Sequence, residues 1–227
     1  MKLIKTKNYN EMSEKAAEII IKEINKKPSL AIAFATGKTP LGLYEKLIEA
    51  YKKKKINFSK IKAFNLDEYY LIKNKDKRSF YYYLHKNLFD KVNLKKENIN
   101  LLNGEAKNWK KECSDYESKI KKNEIDLMIL GVGVNGHIAF NELGSLKDSK
   151  TRLVELKHKA IKNRALTIGI STILSSKKLI LLASDKKKAE AIKCLVKCKP
   201  DKCCPVSFLR KHKNLIVIAD KEAESLI

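Results

Sequence analysis

His137 is the residue in this chain whose type and neighbours most invite chemistry. Asn135, His137, Asn141 and Glu142 fall within eight residues at the end of IDLMILGVGVNGHIAFNE, the stretch 125–142. A carboxylate and two amides this close to an imidazole can set its tautomer and hold its pKa near neutrality, as a proton shuttle requires. The plainer alternative is a hydrogen-bonded structural histidine after a glycine turn. A second candidate is the acid pair Asp67 and Glu68 in FNLDEYY. Consecutive side chains on extended backbone point in different directions, so two adjacent acids serve different tasks; a helix cap plus a surface acid is the plain reading. A third is the turn Thr36-Gly37-Lys38-Thr39-Pro40. Its hydroxyls, its lysine and the free amides of a helix start favour an anion, although an ordinary turn with Pro40 in the first helical turn also fits. It is not a Walker loop, which needs G-x-x-x-x-G-K-[ST].

These groups need a scaffold that brings them together. SLAIAFA at Ser29 to Ala35 and the apolar run after Ile125 are short, continuous and bounded by charged residues, which predicts buried strands of a parallel sheet. Further strands are expected at Ile61 to Leu66, Ala165 to Ile170, Leu179 to Ala183 and Leu215 to Ala219. Helices are expected at Tyr9 to Lys26, from near Pro40, and at Ser79 to Phe89. Alternating strands and helices over 227 residues predict one domain with a doubly wound, mostly parallel, Rossmann-like α/β sheet flanked by helices. All three motifs then lie in loops at the carboxyl ends of strands, where such sheets bind ligands.

Composition narrows the function further. The formal charge is +23, from 49 basic and 26 acidic residues, with scattered lysines and few arginines. Such charge attracts phosphorylated molecules, but no zinc-finger, RRM or glycine-rich RNA motif accompanies it, so no specific nucleic-acid partner is expected. Cys113, Cys194, Cys198, Cys203 and Cys204 show no paired C-x-x-C pattern, which argues against zinc. No apolar run reaches the roughly 20 residues of a membrane span, and the first residues lack an apolar leader core. A soluble, cytoplasmic protein with reduced thiols is expected.

GVGVNGHIAFNE resembles the GxGxDGHIAFNEP signature of glucosamine-6-phosphate deaminases. ATGKTPLGLYEKL at Ala35 to Leu47 is similar to the phosphate loop of that family, FNLDEYY to its FNMDEY segment, and ENINLLNG at Glu97 to Gly104 also matches. The ordered matches run along nearly the whole chain. The resemblance implies conversion of glucosamine 6-phosphate to fructose 6-phosphate and ammonia without metal or organic cofactor. Under it Asp67 moves a proton between C2 and C1, Glu68 is structural, and His137, oriented by Glu142 and Asn135, opens the sugar ring. Thr36, Gly37, Lys38 and Thr39 bind phosphate, and Gly133 and Gly136 belong to the substrate-binding loop. The substrate partner is then a small sugar phosphate; homo-oligomers occur in the family and remain possible here.

The chain departs from the pattern in several places. Asn135 stands where Asp is usual, so His137 is expected to keep a hydrogen bond yet be less basic. Leu143 replaces a proline. The segment between Leu156 and Ala165 is shorter than in typical members by roughly a dozen residues, removing the part that carries a phosphate-binding arginine. Lys159, Lys162 and Arg164 are candidates to replace the lost cations, with Lys162 and Arg164 assigned to substrate binding; His158 is weaker, and Asn163 stands where a lysine is common. Val154 stands where an allosteric lysine would be needed, although Arg152 matches, so no allosteric activation is expected. A 6-phosphogluconolactonase-like hydrolase and a catalytically silent sugar-phosphate sensor are the competing readings. All of them require Asp67 and His137 to share one cavity.

Overall fold

The computed structural model describes residues 1–156 and 163–227. The chain opens with β1 (Lys2–Thr6), α1 (Tyr9–Lys26), β2 (Ala31–Phe34) and α2 (Leu41–Lys52), followed by β3 (Lys62–Asn65), β4 (Asp67–Tyr69), α3 (Phe80–Asn87) and β5 (Ile99–Asn100). Then come α4 (Trp109–Asn123), β6 (Leu127–Gly131), β7 (Arg152–Glu155), β8 (Arg164–Thr167), α5 (Ile170–Leu174), β9 (Leu179–Ala183), α6 (Ala189–Lys197) and β10 (Leu215–Asp220). Seven strands form one sheet in the order β1-β10-β9-β6-β2-β3-β5, and every pairing in it is parallel.

The central strands are apolar on both faces because helices cover both. In β2 and β9 every residue is buried, as are Leu127 through Leu130 of β6, which is why these segments read as uninterrupted apolar runs rather than alternating ones. α1 shows the complementary pattern. Asn8 accepts from the Glu11 amide to start it, and Met12, Ala16, Ala17, Ile20 and Ile24 form the buried stripe. Among the described residues no helix is long and apolar enough to cross a membrane.

One expected strand belongs elsewhere. The segment expected at Ala165 to Ile170 is β8, which runs antiparallel between β4 and β7 in a separate three-stranded sheet, and Ile170 already begins α5. Its role is to hold the segment of Asp67, since Asp67 pairs with Thr167 and Glu68 with Leu166.

The main sheet reverses its direction of growth between β2 and β6. From β2 the chain builds outward through β3 and β5, then crosses to β6 and builds the other way through β9 and β10. The loops leaving the carboxyl ends of β2 and β6 therefore separate and leave a crevice. Asp67 reaches that crevice through a buried support. Tyr116 of α4 donates its hydroxyl to the Asn65 carbonyl at 2.8 Å and accepts from the Asn65 amide at 3.1 Å, while Asn65 Nδ2 donates to the Asp67 carbonyl at 2.8 Å. Tyr116→Phe strands these groups away from water and is expected to cost about 1–3 kcal/mol of unfolding free energy in urea titration; an unchanged midpoint would show that the support is redundant.

Candidate active site

The crevice is a cavity of about 670 Å³ lined by the β2 loop, the start of β4, the β6 loop and the loop after β9. Thr36, Gly37, Lys38 and Thr39 line one side, and Asp67, Gly133 and His137 line it as well. Asp67 and His137 thus share one cavity, although 70 residues separate them in the chain.

Asp67 is 6% exposed, and its Oδ1 has no hydrogen-bond partner among the described residues. Burial, and then the charge of Glu68, hold its pKa well above the ordinary 3.8. Glu68 is turned the other way and fully buried. Its carboxylate accepts from the amides of Tyr69, Phe80 and Tyr81, at 2.8, 3.0 and 2.8 Å. It caps the first turn of α3 together with Ser79, whose Oγ accepts from the Tyr82 amide. Of the two adjacent acids one is a cap and the other an unpaired group facing the cavity, not a surface acid.

The imidazole is held from one edge. His137 Nδ1 lies 2.7 Å from Asn135 Oδ1 and 3.3 Å from Glu142 Oε1, while Asn135 Nδ2 donates to Glu142 Oε2 at 2.8 Å. Both neighbours of Nδ1 are acceptors, so Nδ1 carries the hydrogen in the neutral ring and Nε2 is the atom free to take a proton. Asn135 keeps its hydrogen bond. The pKa of His137 lies below the ordinary 6.5, chiefly through burial, with the charge of Glu142 raising it and that of Lys188 lowering it further. Burial outranks the charge effects in making His137 less basic. Gly133 is required by close approach, because a Cβ there would collide with the His137 ring.

Other sequence candidates have different places. Gly136 does not line the cavity; it turns at φ +82° and backs onto Cys204 and Val206. Arg164 does not line it either. Its guanidinium lies 5.3 Å from the Tyr70 ring centroid, on β8. His158, Lys159 and Lys162 lie outside the described residues. Asn141 is a brace, its amide donating to the Ile138 and Ile168 carbonyls and its Oδ1 accepting from Arg152 Nη1 at 2.9 Å. Sequence reasoning missed the loop after β9, where Lys187 and Lys188 face the cavity. Lys188 is half-buried, and burial lowers its pKa from the ordinary 10.5. Nothing in the run Lys186 to Lys188 itself marks a cavity wall, and only its position after a buried strand hints at more. Tyr9 was missed too: its hydroxyl accepts from the Gly42 amide at 2.7 Å and donates to the Lys38 carbonyl at 3.3 Å, tying α1 to the β2 loop.

A buried carboxylate, an imidazole with a free Nε2 and a nearby ammonium at the switch point of a parallel sheet define an α/β site for proton transfer on an anionic substrate. The family model of glucosamine-6-phosphate isomerases/6-phosphogluconolactonase matches residues 5–218, and the chain belongs to that family. The glucosamine-6-phosphate deaminase of Clostridium novyi (strain NT) is 46% identical over 239 positions, covering 99% of each chain. That of Thermoanaerobacter sp. (strain X514) is 44% identical over 241 positions, covering 100% of this chain and 95% of the relative. Both alignments are longer than the 227 residues of this chain, so the relatives carry positions it lacks. Among solved structures, a monomeric glucosamine-6-phosphate deaminase of the NagB superfamily superposes with a TM-score of 0.97 at 35% identity over 100% of both chains. The 6-phosphogluconolactonase of Thermotoga maritima, at 23% identity and TM-score 0.82 over 97% of this chain and 99% of its own, shares the fold.

Because the folded-state pKa of Asp67 is raised, the folded chain keeps a proton that the unfolded chain releases above 3.8. Its contribution therefore favours folding less and less as pH rises from 3.8 through the folded-state value. Asp67→Asn titrates nothing here, so its melting temperature is expected to gain on the wild type between acid and neutral pH. A gap that is constant or shrinks with pH in paired thermal scans would refute the raised pKa.

Proposed function

We propose that this protein is a glucosamine-6-phosphate deaminase, an isomerising enzyme that releases fructose 6-phosphate and ammonia. The observation that carries the reading is the meeting of Asp67 and His137 in one cavity, with the Thr36 to Thr39 loop on one wall and Lys188 on another. The phosphate sits against the amides and hydroxyls of the β2 loop, with Lys188 as a cation on the cavity wall. His137 Nε2 takes the proton of the C1 hydroxyl and returns it to the ring oxygen, while Glu142 and Asn135 keep Nδ1 protonated. Asp67 then carries the C2 proton to C1. A raised pKa suits that task, because a desolvated carboxylate is a stronger base than one in water. Ammonia leaves from C2 once the carbon is an imine and water has added. Proton transfers, addition of water and departure of ammonia complete the sequence, so no cofactor is called for. The odd number of cysteines, five, agrees with a reducing cytoplasmic setting, and the described residues act as one α/β domain.

Ammonia release from glucosamine 6-phosphate, followed by a coupled assay, tests this directly. Asp67→Asn and His137→Gln are each expected to lower kcat by roughly 10²–10⁴-fold. Lys188→Ala is expected to act mainly through KM, raising it about tenfold or more, as loss of a charge-assisted phosphate contact should. Binding of the sugar without ammonia release would favour the sensor reading, and lactone hydrolysis without deamination the hydrolase reading. The acid limb of kcat/KM should lie above 3.8, since Asp67 must lose its proton to act.

A further inference from the structure

Three of the five cysteines gather on the back of the His137 loop, outside the cavity. Cys194 lies on α6 and Cys198 caps its carboxyl end, one helical turn on. Cys204 precedes the 3-10 segment Pro205–Lys211. The thiols of Cys204 and Cys198 are the neighbours of the Cys194 thiol, and with burial they raise its pKa. The two segments are tied beside them, with Arg210 Nη1 donating to the Cys198 carbonyl at 2.9 Å. Cys198 is exposed, whereas Cys194 and Cys204 are partly buried. Among the described residues no group of three or more His, Cys, Asp or Glu is arranged to hold a metal ion, so the trio's available chemistry is that of sulfur with sulfur.

The trio is in mechanical contact with the catalytic loop. A Cβ on Gly136 would stand 2.6 Å from Cys204 Sγ, so the sulfur packs directly on the backbone one residue before His137. The Val206 amide donates to the Gly136 carbonyl at 2.8 Å, and the Gly136 amide to the Gly133 carbonyl at 3.0 Å. Any movement of Cys204 is therefore passed to the turn that seats the imidazole.

We propose that this trio is a reversible oxidation site in which a Cys194–Cys204 disulfide, formed by hydrogen peroxide, displaces the His137 loop and lowers turnover. The exposed Cys198 sulfur attacks peroxide, breaking its O–O bond; one oxygen leaves as water and the other stays as a sulfenic acid. The Cys194 sulfur displaces that oxygen as a second water, forming a Cys194–Cys198 disulfide. The Cys204 sulfur attacks Cys194, and Cys198 leaves as the free thiol. In sum two thiols give up two protons and two electrons, and one peroxide becomes two waters. Closing a thiol contact to a bond of about 2.05 Å moves Cys204 Sγ relative to Gly136.

The test uses the full chain carrying Cys203→Ser, which removes the ambiguity of adjacent cysteines. After reduction, peroxide treatment and alkylation, tryptic peptide 194–197 should be joined to 203–210, with the intact mass lower by about 2 Da. Dithiothreitol should reverse both. Amide hydrogen exchange in residues 132–137 should change on oxidation, and ammonia release should fall roughly tenfold, the scale of a small misplacement of a reacting group. Adding Cys194→Ser should abolish the crosslink and leave the activity insensitive to peroxide. Alkylation of all three thiols after peroxide, or a crosslink without a change in loop exchange, would overturn the proposal. The loss of turnover rests on the deaminase reading, but crosslink and exchange do not. A reduced enzyme that releases no ammonia would count against that reading alone.

Discussion

A carboxylate kept out of water without a hydrogen bond to one of its oxygens is the constraint on which the rest of this site depends. Asp67 is held there by backbone. Its residue pairs with Thr167 in the small antiparallel sheet, and its carbonyl accepts from Asn65, which Tyr116 fixes in turn. Removing a carboxylate from water costs free energy unless it is paired, and Oδ1 has no partner among the described residues to recover that cost. It is met by the apolar core behind the site, where β2, β6 and β9 are buried on both faces. A carboxyl group held in this way is poorly stabilised in its charged form, as its raised pKa shows.

The imidazole follows a different economy. Asn135 and Glu142 satisfy its Nδ1 edge and each other, leaving a single nitrogen for the substrate. Nearby, Ala139 holds φ +50°, a conformation disfavoured for a residue with a Cβ. The Asn141 amide maintains it by clamping the carbonyls of Ile138 and Ile168, and Arg152 clamps Asn141. The residue matched by sequence to an allosteric position is here a brace of the catalytic loop. Its guanidinium also donates to Ser145 Oγ at 3.2 Å.

The lysines of this strongly basic chain differ in their surroundings. Most of its lysines lie on solvated surfaces, where charge is screened and worth little. Lys188 is half-buried, close enough to lower the pKa of His137, and set in a loop whose start is pinned by the Ser184 hydroxyl and the Asp185 amide on Asp220. Position rather than number sets this lysine apart.

What the amino-acid sequence determined by itself was whatever local pattern encodes. The helix Tyr9–Lys26 and the strand Leu179–Ala183 were readable to the residue, because an apolar stripe and a doubly buried run are written in consecutive positions. The parallel α/β class and the motif loops at the strand ends followed from the same alternation. β1 escaped notice because edge strands carry lysines, and α4 because only Cys113, Tyr116 and Ile120 of its fifteen residues are buried. Other features were decided only by tertiary structure. These include the meeting of Asp67 with His137, the use of Glu68 as a cap for a helix twelve residues away, the turning of Lys188 into the cavity, and the stacking of Arg164 on Tyr70 outside it. Each depends on which strands become neighbours and how loops leave them, and a contact between distant residues leaves no periodic trace in the chain.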